Sequence, residues 1–184
     1  MPAFRGERSG LLGSRDLSLI SGFSALLIGL GFVSAGLRPL TRSTELFFLI
    51  SALFAVLTLI VQRVGTVTLV GGVAGVVFFA IPGAPFPLHI ATALISNAIV
   101  FDLYLKTAGF KPVSPRNIAL AAAAGSFVMA VATLALLQTL GTPIPLAFWI
   151  LAPPIDTLVG WVGARFGLVV ARRIKSSAEV IRTV

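Results

Sequence analysis

The chain contains no cysteine, which removes disulfides, thiolate nucleophiles and thiolate metal sites from consideration. Histidine occurs once, at His89, so a transition-metal site of the His/Cys type is not expected, and the reading assigns no metal and no cofactor. Charge is scarce. Asp, Glu, Lys and Arg make up 11% of the residues, whereas a soluble domain carries about 25%. H-E-x-x-H, Walker A and G-x-S-x-G are missing. No paired acidic motif of a lipid-head-group transferase is visible either. These absences point away from an enzyme.

What remains is apolar. Hydrophobic residues are 57% of the 184, in recurring runs of roughly 18 or more, the pattern of helices that cross lipid. The expected fold is all-α, one bundle of six transmembrane helices. The spans are residues 17–36, 44–61, 64–81, 86–105, 117–140 and 146–171, with short tails at 1–16 and 172–184. The break at Gln62 and Arg63 is the shortest. The first apolar run is longer than a cleavable signal's core of about 7–15 residues, so it reads as a retained helix.

The net charge of +8 does not point to nucleic acid, because the basic residues sit at the ends of the apolar runs. Six spans put Arg5, Arg8, Arg15, Arg63, Lys106, Lys111, Arg116, Arg172, Arg173, Lys175 and Arg182 on one side. Only Arg38 and Arg42 fall on the other, with Arg165 inside the last span. The positive-inside rule then places both termini in the cytoplasm of a cell-membrane protein.

The chain is organised around residues 81–104. Three prolines open this stretch, and an apolar helix carrying His89, Thr92, Ser96, Asn97 and Asp102 follows. The opening Gly83-Ala84-Pro85-Phe86-Pro87-Leu88 has a second copy at Gly141-Thr142-Pro143-Ile144-Pro145-Leu146. Glycine ends a helix, and proline fixes the turn and opens the next one. Both turns are expected on the outer face, closing over a site between helices.

Candidate residues fall in three groups. In the first span Ser21, Ala25 and Gly29 form a small-xxx-small stripe that allows close helix approach in lipid, either within this chain or to a partner membrane protein. The glycines of the third span suggest internal packing. In the fourth, His89 is either an interfacial residue or a ligand contact, and Asn97 is either interhelical glue or a ligand contact. In the sixth, Asp156 near the bilayer centre is a functional candidate because an acid there is costly. Trp149, seven residues earlier, shares its face and offers a stacking wall or an interfacial anchor. Pro153 and Pro154 free backbone carbonyls between them. Gln138 can face the same cavity, and Arg38 and Glu45 flank the first outer loop. Asp102 is expected to pair with Arg165 or with Lys106.

These features together resemble a substrate-binding subunit, or S component, of an energy-coupling factor vitamin transporter. The likeness rests on size, six spans, inside termini, the small-residue first span and the glycine-rich third. A Pro-rich turn before the fourth span and an ending of Gly167, Ala171, Arg172, Arg173 and Ile174 complete it. The resemblance implies a high-affinity binder that does not transport alone. It would associate with a transmembrane coupling protein and two cytoplasmic ATPase subunits, and topple in the bilayer to deliver its ligand. It also implies a ligand near the outer surface, against spans four to six, and a first helix packed on the coupling protein. There the family usually has A-x-x-x-A, where this chain has Ser21 and Ala25. Family ligands include thiamine and its pyrimidine precursor, riboflavin, biotin and cobalamin. An acid at Asp156 suits a cationic or amino-bearing heterocycle such as a thiamine-related compound. The rival readings are a stand-alone carrier using Asp156 as a proton or cation site, and a structural membrane subunit without a ligand.

Overall fold

A polypeptide in lipid must pair its backbone groups internally, and the helix does so within one segment. The computed structural model describes residues 13–41, 44–80, 88–109 and 114–183. Their secondary structure is entirely helical: α1 Ser14–Thr41, α2 Thr44–Val61, α3 Thr66–Ala80, α4 Leu88–Thr107, α5 Pro115–Thr139 and α6 Leu146–Thr183. Four of these, α1, α2, α5 and α6, are long and apolar enough to cross a membrane. The 15 residues of α3 are apolar but reach only about 22 Å.

The helix ends follow local chemistry. Gln62 takes a positive φ of 54° and Gly65 one of 92°, so the chain reverses between α2 and α3 in four residues and α3 starts at Thr66, two later than expected. Ser114 caps α5, its hydroxyl accepting from the Arg116 N–H, with Pro115 in the first turn. Gly141 ends α5 with φ 85°. Its N–H bonds the Gln138 carbonyl at 3.1 Å, and the Thr142 N–H bonds that of Leu137 at 3.0 Å. This paired closure is the glycine stop anticipated for the second G-x-P-x-P-L turn. The first copy, apart from Leu88, lies outside the described residues, as do Arg42 and the side chain of Arg38. α6 runs unbroken through Pro153 and Pro154 to Thr183, well past the expected boundary at residue 171.

The helices form a closed ring in the order α1, α2, α6, α5, α4, α3, with α2 also touching α3 and α5 across the middle. Phe54 of α2 and Phe101 of α4 fill the interior, both fully buried and edge-to-face at 5.7 Å. Such a pair contributes about 0.5–1.5 kcal/mol beyond its burial. The closest approach is α6 on α2. A Cβ on Gly163 would collide with the backbone of Phe48, and one on Gly167 with that of Ala52. The expected internal role of the α3 glycines holds at Gly71 and Gly75, which abut Ala98 and Ile95 of α4, while Gly72 faces open space.

One end of the ring, here the near end, holds the start of α1 and the α2–α3 connection, joined by an Asp16–Arg63 ion pair at 3.0 Å. The end of α1, the start of α2, the end of α3, the start of α4 and the α5–α6 turn lie at the far end.

The expected Asp102–Arg165 or Asp102–Lys106 pair does not form. The Oδ2 of Asp102 accepts from the Thr68 N–H and the Thr68 hydroxyl, each at 2.7 Å. Thr68 is in the first turn of α3, where backbone N–H groups have no intrahelical partner and the helix dipole favours a negative charge. The carboxylate of α4 thus closes the start of α3. Arg165 instead lies 5.5 Å from the ring centre of Trp161.

Candidate functional site

At the far end the ring opens into a cavity of about 720 Å³, within the range of about 300–1,000 Å³ typical of small-molecule sites. Its walls come from α2, α4, α5 and α6. Among the described residues α1 takes no part and touches only α2 and α3.

The α5 wall, Met129, Ala130, Thr133, Leu134 and Leu137, repeats at helical spacing, as does the α6 wall of Ala147, Phe148, Leu151, Ala152, Ile155 and Asp156. Thr44, Leu46 and Phe47 of α2 close one side, and His89 of α4 enters from the opposite one. Four polar groups punctuate this apolar lining: Thr44, His89, Thr133 and Asp156. The Thr133 hydroxyl donates to the Met129 carbonyl at 2.8 Å, leaving its oxygen as an acceptor. Phe148, Leu151 and Ile155 are each about half exposed, so the cavity opens along α6.

Asp156 is the one carboxylate among the described lining residues. Among the described residues no donor or cation pairs with it, and the half-buried acid can therefore receive a positively charged or amino-bearing group from outside the chain. His89, nine-tenths buried, brings an imidazole to the wall. Phe47, Phe148 and the Met129 thioether supply the contacts that flat aromatic molecules prefer. His89 and Asp156 are also the two lining groups with metal-ligand chemistry, and among the described residues no third joins them.

Of the residues singled out from sequence, His89 and Asp156 meet in this cavity. Asn97, Gln138 and Trp149 do not line it. Asn97 is fully buried one layer below: its Nδ2 donates to the Met129 Sδ at 3.4 Å, and its amide lies where a Cβ on Gly125 would stand. It joins α4 to α5 and supports the cavity floor through Met129. Gln138 is exposed in the last turn of α5, one residue past the lining Leu137. Trp149 is half-buried, one residue past Phe148, which supplies the aromatic wall instead. The seven-residue spacing does put Trp149 and Asp156 on one side of the helix, but the cavity faces Phe148, Ala152 and Ile155, with Asp156 at its edge.

Thr44, Phe47, Met129 and Thr133 were missed from sequence. The one available signal was Thr133, a hydroxyl inside an otherwise apolar run. The Ser21, Ala25 and Gly29 stripe of α1 faces outward, and a Cβ added at Gly22 or Gly29 would meet nothing.

Comparison with known proteins gives no match: no family model, no curated protein and no solved structure is significantly similar to this chain.

Proposed function

We propose that this chain is the membrane-embedded substrate-binding subunit of an energy-coupling factor importer, holding a small organic cation or amino-bearing vitamin precursor in the far-end cavity. The observation that carries this reading is the cavity itself: one unpaired carboxylate, Asp156, and one imidazole, His89, in a wall otherwise of aliphatic and aromatic side chains. A thiamine-related compound has the matching chemistry, a cation joined to flat rings.

In this reading α3 and α4 complete six crossings of the cell membrane. The composition of α4 is compatible with lipid because His89, Asn97 and Asp102 are turned inward, while Ile99 and Leu103 face out. Both termini are cytoplasmic, and the cavity opens to the outside. The outward small-residue stripe of α1 docks a transmembrane coupling protein, which joins two cytoplasmic ATPase subunits. Nucleic acid has no part in this scheme.

Purification without added ligand, followed by native mass spectrometry, tests the reading. A small cation should co-purify with the wild-type chain and be lost from Asp156→Asn. A wild-type chain that neither retains such a compound nor binds added thiamine or its pyrimidine precursor would contradict it. For orientation, a cysteine placed at Thr142 should react with an impermeant reagent on intact cells, and one at Ser177 should not.

A second reading, a stand-alone proton- or cation-coupled carrier, draws on the same unpaired Asp156. It requires net transport by this chain alone.

A further inference from the structure

The outward face of α6 carries a feature unrelated to the cavity. Leu158, Trp161, Val162, Phe166 and Val169 are exposed there, an apolar surface suited to acyl chains. Arg165 is exposed in the middle of it and stacks on Trp161 at 5.5 Å. Arg172, two turns on, falls on the same face and is exposed, as are its neighbours Arg173 and Lys175.

An arginine on a lipid-facing surface is costly unless something neutralises it. Among the described residues no acidic side chain pairs with Arg165. Of the four acids whose side chains are described, Asp16 is taken by Arg63, Asp102 is committed to Thr68, Asp156 lines the cavity, and Glu45 sits in the first turn of α2. The depth of Arg165 follows from helix pairing. Gly160 abuts Ser126 of the antiparallel α5. Counting from that contact, Arg165 is about 7 Å short of the level of Arg116, which marks the near-end polar boundary. An arginine stem spans such a distance by reaching toward the headgroups.

We propose that the α6 face formed by Trp161, Arg165 and Arg172 binds the headgroup of an anionic phospholipid in the leaflet on the side of the chain termini. The guanidinium of Arg165 takes the phosphate in fork geometry. The Trp161 indole N–H donates to an ester or phosphate oxygen, as interfacial tryptophans do. Arg172 adds positive charge further out, and the exposed aliphatic and Phe166 side chains hold the tails. Charge complementarity favours a lipid. The whole neighbouring run is cationic, and anionic headgroups concentrate beside such juxtamembrane clusters.

The chain has two tryptophans, so Trp149→Phe leaves Trp161 as the only indole reporter. This variant is reconstituted in phosphatidylcholine vesicles containing a minor fraction of phosphatidylglycerol brominated on its tails, or the same fraction of brominated phosphatidylcholine. Quenching of Trp161 by the anionic lipid should exceed that by the neutral one, with a several-fold higher apparent association constant. Arg165→Gln should remove the difference, and Arg116→Gln, on another helix, should leave it. Should Arg165→Gln fail to insert, Arg172→Gln carries the test and should weaken the preference. Equal quenching by the two lipids would overturn the proposal and leave a protein partner as the occupant of this face. A preference that survives both α6 substitutions would also overturn it, because diffuse attraction to the basic end would then suffice.

Discussion

α1 and α6 both carry small residues at helical spacing, and they use them in opposite ways. On α6, Gly160, Gly163 and Gly167 press against Ser126, Phe48 and Ala52 of neighbouring helices. On α1, Ser21, Ala25 and Gly29 face away from the rest of the chain. A small-xxx-small pattern therefore states that a backbone can come close. It does not state whose backbone. α6 has its partner within the fold and also forms the open wall of the cavity. Among the described residues α1 touches only α2 and α3, and its smooth side is exposed. Substitutions in α6 should damage folding or ligand binding, and substitutions on the stripe of α1 should damage neither.

The largest expected effect is on α6. Gly163→Leu forces a side chain into the Phe48 backbone, where no rotamer change can relieve the clash. Overpacking of this kind costs about 1–3 kcal/mol and occasionally more, so thermal unfolding in detergent should fall sharply or the chain should fail to assemble. Asp156→Asn keeps the shape of the cavity and removes its charge. It should weaken binding of a cationic ligand by about 2–5 kcal/mol, the range for truncating one partner of a buried charge pair, while the melting temperature without ligand barely changes. Equilibrium binding of thiamine checks this, and undiminished affinity would remove Asp156 from the site.

Asp102→Ala is intermediate. It strands the Thr68 N–H at the buried start of α3 and should destabilise the fold by about 1–3 kcal/mol, without altering affinity per folded molecule. The smallest effect on stability is expected at Ala25→Leu, within about 0.5 kcal/mol because the site is open. Ligand affinity should also be unchanged. On the proposed reading as an importer subunit, transport and co-purification of a coupling protein should nevertheless be lost. A drop in melting temperature comparable to that of Gly163→Leu would erase the contrast between the two helices.

The helices were legible because apolar run length and glycine or proline punctuation are local signals. Their ends were less so. α6 outlasts its apolar segment by extending through a basic stretch that still favours helix, and α3 is shortened by the positive φ values at Gln62 and Gly65. In the site, His89 and Asp156 were legible because a lone imidazole and an intramembrane acid are chemically conspicuous. Trp149 and Gln138 were each one residue out of register with the cavity. Spacing along one helix fixes a face, but the orientation of that face depends on which helices flank it. The bond from Asp102 to Thr68 links residues on different helices, and charge matching alone pointed to Arg165 or Lys106 instead.

The central claim is that this chain binds a small cation and does not carry it across. Proteoliposomes containing the chain alone, incubated with radiolabelled thiamine over a range of internal volumes, test it most directly. The account predicts retained label that saturates at about one molecule per outward-facing chain, is independent of lumen volume, and is lost in Asp156→Asn. Label that accumulates in proportion to lumen volume would contradict it and establish a carrier.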